Sequence, residues 1–347
     1  AMTTERILSQ NGFTQEKINI GILAGLMHDI ATPALGDATK QVDPQNLDEE
    51  KHWMETMDQN GRRLLESYDT NQSEMGKIIK NEGVLGKVLD ISDRITYTMK
   101  DMHEIIGPVR GNTSANFYVD IEEFIGVLSN FPKIGNIYQD VGADQKNEDV
   151  FFNNPDRLRA FLLLRALLHQ KLYMHPVSLG RDLFVKRLIE PLYSPDEGSG
   201  KPLSPHNLRQ MTDHDLKKLI YSYYFSSSYD QSNPHSHAEA FFQSIVNWHP
   251  EFEKFATFED AKKKERQLRK NANIAVLGIK NSNGFDPATT YKVADGYKYV
   301  EFREFNPTGA RQIEAIAKST KGIFLFWADV SEDNPTNTLL KAVLKNN

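Results

Sequence analysis

The period of the hydrophobic pattern changes once along this chain, near residue 270, and that change constrains the fold more than any other feature. Before it, apolar residues recur three and four apart, the spacing that gathers them on one face of a helix. After it come short β-branched and aromatic runs, NIAVLGIK (273–280), YKYVEFREF (297–305) and GIFLFWADV (322–330), with turn residues between them. One helical segment, TGARQIEAIAKST (308–320), separates the last two runs. The chain therefore reads as mainly α, with a helical body over residues 1–270 and a small α+β lobe over residues 271–347.

Within the body, residues 14–30 form a helical pattern in which Thr14 can cap and Ile18, Ile22, Leu23, Leu26 and Met27 share a face. Residues 31–50, with Pro33, Gly36 and Pro44, read as a loop. A second helix is expected over 83–106, stopping at Gly107-Pro108, and a third over 157–174, ending before Pro176. Pro and Gly cluster between 191 and 205, and MTDHDLKKLIYSYY (211–224) continues the helical pattern.

Bulk properties exclude several classes. No apolar stretch approaches the roughly 20 residues needed to cross a bilayer. No basic segment followed by an apolar core marks a signal peptide, and the opening Ala1-Met2 reads as a cloning remnant. The absence of cysteine rules out disulfides and thiolate metal sites, and it fits a cytoplasmic protein. Any metal must then sit on His, Asp and Glu, a donor set suited to Mn, Fe, Mg, Ni or Zn. A net charge of −6 gives no strong nucleic-acid signal, so cations that handle anions must be concentrated locally.

Three groups of residues could carry chemistry. In GLMHDIATPALGDA (25–38), the adjacent His28 and Asp29 close an apolar run just before Thr32-Pro33. Alone, the pair reads equally as a polar helix terminus, where a histidine is electrostatically welcome. In GVLGKVLDISDRITYTMKDMHE (83–104), Asp93, Tyr97 and Asp101 fall at i, i+4 and i+8 on a helix whose other faces are apolar. A carboxylate there must be paired, hydrogen-bonded or metal-bound, unless it shares a wet face with Lys100. In FLLLRALLHQKLYMHP (161–176), Arg165, His169 and Tyr173 repeat the same spacing amid Leu and Phe. Such an Arg either snorkels to solvent or meets a buried anion through its rigid donor fork, and phosphate suits Arg, His and a phenol together. An acidic and a basic stripe suggest a site holding a cation and a phosphorylated ligand, the requirement of metal-assisted phosphoester hydrolysis.

These residues resemble the HD-domain phosphohydrolases, and within them the branch of dGTPase and sterile-alpha-motif/HD dNTP triphosphohydrolases. His28-Asp29 matches the family's His-Asp doublet, and Asp93 in DISDRITYTMKD matches its distant metal Asp. Tyr97 and Asp101 match the nucleotide contacts one and two turns further on. Arg165, His169 and Tyr173, followed by HPVS, reproduce its phosphate and sugar contacts, and LRQMTDHDLKKLI (208–220) is similar to a later family helix. The likeness spans roughly residues 5–225. It implies an HD-type helical phosphohydrolase domain with a divalent metal on His28, Asp29 and Asp93. The implied reaction turns a dNTP into deoxynucleoside plus triphosphate by way of a metal-activated water. Members of the branch are often oligomers, so the resemblance allows a homo-oligomer.

Three departures accompany it. The family's first metal histidine lies upstream of the doublet, and no histidine precedes His28 here. Four and nine residues after the doublet's His, where close relatives carry histidines, this chain has Thr32 and Asp37. His52, in LDEEKHWMETM (47–57), stands where another catalytic His is expected, although a solvated helix face suits it as well. The readings left open are a catalytically impaired nucleotide sensor or scaffold and a phosphohydrolase for another phosphoester, such as a nucleoside monophosphate.

Other suggestive stretches carry less. EGSGKP (197–202) fails as a phosphate loop because Pro195 and Pro202 replace its required Gly and Ser/Thr. His235, His237 and Glu239 in NPHSHAE read as a polar loop, and KKKERQLRK (262–270) as a solvated helix end.

Overall fold

In the computed structural model, which describes residues 1–111, 134–225, 234–296, 298–331, 337, 340 and 341, helices begin where the sequence supplies an acceptor for their first N–H groups. Thr14 Oγ1 accepts from the Lys17 N–H at 3.4 Å at the head of helix Gln15–Met27. Asn154 Oδ1 accepts from the Arg157 N–H at 3.0 Å ahead of helix Pro155–Leu168, whose first residue is a proline with its φ preset. That helix buries residues all round its axis, including Leu158, Phe161, Leu162, Leu164 and Leu168, so it runs through the interior.

The described chain is mainly helical with small sheets, the class expected from the change of period. It groups into two compact units, each drawn from three segments. The first comprises Ala1–Ile30, Trp53–Leu172 and Phe285–Thr320; the second comprises Ala31–His52, Tyr173–Gly284 and Lys321–Asn347. Residues beyond 270 therefore contribute to both. Among the described residues the strands are β1 (Val141–Asp144), β2 (Asp149–Phe152), β3 (Glu251–Phe255), β4 (Ile274–Ser282), β5 (Lys292–Asp295), β6 (Lys298–Glu301) and β7 (Gly322–Asp329).

In the first unit the long helix Gly83–Gly111 packs against helices Met2–Gln10 and Gln15–Met27 and against β2. Val88, Leu89, Ile91, Ile95 and Met102 of that helix are buried, whereas Lys100 is exposed. The sheet of this unit has the order β1-β2-β5-β6, with β2 and β5 parallel and the other pairs antiparallel. In the second unit β3, β7 and β4 form an antiparallel sheet backed by helix Pro176–Ile189. Leu183, Phe184, Leu277, Phe324 and Phe326 fill its core. The register of β4 shifts between Val276 and Gly278, where φ is 135° at Gly278, and Arg187 Nε donates to the Leu277 carbonyl at 3.0 Å. Only glycine enters that region of φ at little cost, so the bulge is written into the sequence.

Several elements differ from the sequence expectation. β1, β2 and β3 precede residue 270 and were read as part of a helical body; four- and five-residue strands are too short to show a period. Helix Gly83–Gly111 continues through Gly107-Pro108, because a proline removes one helical hydrogen bond without forbidding the next turn. The α-helix expected to reach residue 174 ends at Leu168, and His169–Tyr173 winds as a π turn, a feature common at functional sites. Pro234–Val246 is a helix rather than a loop: His237 stacks on Tyr221, and Glu239 pairs with Lys217 at 2.9 Å. YKYVEFREF divides into β6 and the short helix Phe302–Phe305, while the 31–50 segment contains the short helix Gly36–Lys40 and the first residues of Glu49–His52. The basic run 262–270 lies at the end of helix Phe258–Leu268, where Lys262 and Arg269 both reach Glu265 at 2.8 Å.

Candidate functional site

His28 stands one residue past the end of helix Gln15–Met27, its N–H still bonded to the Ala24 carbonyl at 2.9 Å. Consecutive helical residues point about 100° apart, which would separate His28 from Asp29. The chain leaves the helix here in a turn, and the Asp29 carboxylate comes round to 3.1 Å from His28 Nε2. Asp93, on the long helix, brings Oδ1 to 3.3 Å from the same nitrogen. One donor atom from each residue lies within 4.8 Å of the others, so the structure brings together the three residues the sequence singled out as a doublet and a distant acid.

The fit of these residues to a divalent metal can be judged from their spacing. Bonds of about 2.1 Å from N and O donors place neighbouring ligands about 3.0 Å apart in octahedral and about 3.4 Å in tetrahedral geometry. The two His28–carboxylate distances, 3.1 and 3.3 Å, match those edges. The side chains retain access to solvent, 24% for His28, 66% for Asp29 and 44% for Asp93, which leaves room for further ligands. Hydrogen bonds to Asp29 and then Asp93 outweigh the cost of burial and raise the His28 imidazole to about 10. A cation taken up here therefore replaces a proton that offsets one of the two carboxylate charges. His28 Nδ1 is buried and meets no hydrogen-bond partner among the described residues.

One turn beyond Asp93, Tyr97 opens the basic half of the site. Arg165, only 6% exposed, donates from Nε to the Tyr97 hydroxyl at 2.8 Å and from Nη1 to the Asp286 carbonyl at 2.6 Å. Of the two readings of this arginine, snorkelling to solvent is overturned: the guanidinium is buried, and the oxygens it meets are a hydroxyl and a backbone carbonyl. Arg94, next to Asp93 on the helix, donates to Asp90 at 2.9 Å and to the Asp286 carboxylate at 3.2 Å. The two guanidiniums thus converge on one residue. His169 begins the π turn and stacks flat against Phe285, with centroids 4.5 Å apart and planes at 10°. Burial, then Arg165, then Arg94 lower its imidazole to about 3, so it is neutral at ordinary pH.

The remaining residues singled out from the sequence fall as follows. Asp101 is half-buried two turns along the long helix from Asp93. Tyr173 closes the π turn and belongs to the second unit. His52 also belongs to the second unit, where Nε2 lies 3.1 Å from the Gln45 carbonyl. Thr32 and Asp37 are in that unit too, with Asp37 paired to Lys40 at 3.2 Å. Sequence reasoning missed Arg94, Phe285 and Asp286. The i, i+4 spacing of Asp90 and Arg94 could have flagged the first. Nothing in NSNGFDPATT (281–290) beyond turn chemistry points to the other two.

No family model matches the chain, and no curated protein matches it. Solved structures do share its fold. A phosphohydrolase from Bacteroides thetaiotaomicron VPI-5482 superposes with a TM-score of 0.61 at 15% sequence identity, covering 94% of this chain and 84% of the other. A hypothetical protein from Aquifex aeolicus superposes with a TM-score of 0.58 at 16% identity, covering 99% of this chain and 84% of its own. At such identities the likeness is one of fold.

Proposed function

We propose that this protein is a divalent-metal-dependent phosphohydrolase acting on a nucleotide, with a deoxynucleoside triphosphate, cleaved to deoxynucleoside and triphosphate, as the favoured substrate. One observation carries the reading. His28, Asp29 and Asp93 converge within 4.8 Å, and one helical turn from Asp93 the Tyr97 hydroxyl is bonded to a buried arginine. An acidic ligand and the acceptor of a buried arginine, one turn apart on one helix, suit a cation and a phosphate chain bound side by side. The fold shared with a phosphohydrolase supports it.

His28, Asp29 and Asp93 would hold the metal, which when bound supplies a lowered pKa for water and polarisation of a phosphoryl oxygen. Arg165 and Arg94 offer fixed guanidinium forks to the phosphates, the geometry that makes bidentate anion contacts. Tyr97 orients Arg165 through its hydroxyl and, with Asp101 on the same helix, would position the sugar end. His169, neutral and shielded, completes the proposed ligand contacts within this unit.

The decisive experiment is Asp93→Ala. Metal content should fall from stoichiometric to background, and turnover of a nucleotide panel should vanish with it. Unchanged metal and turnover would sink the proposal. Product analysis then separates substrates, since release of triphosphate and release of inorganic phosphate from a monophosphate are distinct. A second reading, a nucleotide sensor without catalysis, is favoured by Thr32 and Asp37 at positions where members of the family the chain resembles carry histidines. Nucleotide binding without any product, in protein that holds metal, would establish it.

A further inference from the structure

The groups best placed to hold a phosphorylated ligand are already in use, and by one short piece of the protein itself. Asp286 accepts from Arg94 Nη1 through its carboxylate at 3.2 Å and from Arg165 Nη1 through its carbonyl at 2.6 Å. Phe285 stacks on His169 at 4.5 Å, and the Arg165 guanidinium sits 5.9 Å from the same ring centre. A carboxylate on one arginine and a carbonyl oxygen on the next, beside an aromatic face on a histidine, occupy the positions that the phosphate oxygens and base of a nucleotide would take. We infer that Phe285-Asp286 is a built-in occupant of the ligand site, so that the chain is self-inhibited until a phosphorylated ligand displaces the segment. This rests on the proposed role of Arg165 and His169 in ligand binding and goes beyond it in naming the competitor.

The segment is constructed so that its release is feasible. The Ala288 N–H is tied to Asp286 Oδ1 at 2.9 Å, which closes the turn over the arginines. Ala288 itself has φ of 53°, the left-handed region that a residue with a Cβ occupies only at a cost. Downstream the loop is anchored: Phe302 N–H bonds the Tyr291 carbonyl at 2.8 Å, Arg303 N–H bonds the Thr289 carbonyl at 3.0 Å, and Thr289 Oγ1 donates to Glu314 at 2.8 Å. Withdrawal of Phe285 and Asp286 would relieve the strained turn while β5 and β6 stay in place. A polyphosphate supplies more charge to the two guanidiniums than a single carboxylate does, so the exchange can run forward.

The test uses inorganic triphosphate as the probe, with binding measured by calorimetry on the full chain. Asp286→Asn keeps an acceptor for the Ala288 N–H but removes the charge that competes for Arg94. It should bind triphosphate about tenfold more tightly than the unaltered protein, the weight of one charge-assisted contact. Hydrogen exchange on the unaltered protein gives a readout free of any folding defect: saturating triphosphate should speed exchange of the Ala288 amide. Equal affinity for both proteins, weaker binding by Asp286→Asn, or an Ala288 amide that triphosphate leaves unchanged would each overturn self-occupancy while leaving the hydrolase reading intact. Binding to neither protein, together with no Asp93-dependent turnover, would overturn both.

Discussion

His169 offers a sharp test of how this site is built. Its ring nitrogens are shielded from solvent, Phe285 covers one face at 4.5 Å, and burial followed by Arg165 and Arg94 holds its pKa at about 3. In the unfolded chain the same imidazole titrates near 6.5. As pH falls, the unfolded state therefore takes up the proton first, and stability is lost between about 6.5 and 3. Each pH unit in that window is worth at most about 1.4 kcal/mol, so acidification from 6.5 to 4.5 should cost up to about 2.7 kcal/mol through this residue alone.

The comparison that isolates it is His169→Phe, which keeps a ring against Phe285 but cannot titrate. Urea unfolding at pH 6.5 and 4.5, with the slope of free energy on denaturant held as a check, gives the loss for each protein. The unaltered protein should lose about 1–3 kcal/mol more than His169→Phe over that interval. Equal losses would refute the claim that His169 is buried neutral between the two arginines, and with it the electrostatic picture of the basic half-site.

Two further outcomes follow from the geometry. Tyr97→Phe leaves Arg165 Nε without its 2.8 Å acceptor inside the protein and should lower stability by about 1–3 kcal/mol in thermal or chemical denaturation. An unchanged midpoint would mean that the pair is not formed in solution. In the second unit, burial raises the Asp182 carboxyl to about 6 despite Lys280 nearby. The folded state then keeps a proton that the unfolded chain releases near 3.9, so stability from this group is full below about pH 4 and is lost as pH rises through 6. Asp182→Asn should flatten that decline and gain about 1–3 kcal/mol at pH 8 relative to the unaltered protein, and a parallel pH profile would contradict it.

What could be read from the sequence was whatever leaves a local period. The long helix was legible because Val88, Leu89, Ile91 and Ile95 recur at its pitch, and the same pitch put Asp93, Tyr97 and Asp101 along one side. The convergence of His28, Asp29 and Asp93 was inferred from residue type and resemblance, and the structure places them together across 65 residues of chain. β1 and β2 were invisible for the opposite reason. Val141–Asp144 and Asp149–Phe152 pair with each other over only four residues, too few to show a period, and the second neighbour of β2, at Lys292 and Val293, is far away in the sequence. No window centred on them contains that partner.

Arg165 shows where the boundary between the legible and the illegible lies. A guanidinium inside FLLLRALLHQ must be satisfied if it is buried, because an unpaired charge in an apolar interior is prohibitively costly. That much follows from the sequence, and it points to an anion. Which anion does not follow, since the requirement is met equally by a bound phosphate and by the protein's own oxygens. The structure answers with Tyr97 and the Asp286 carbonyl, the second contributed from 121 residues away by a turn with no periodicity to betray it. A buried cation predicted from composition is thus a statement about need. Whether the need is met permanently by the fold or provisionally, until a ligand arrives, is the question that Asp286→Asn decides.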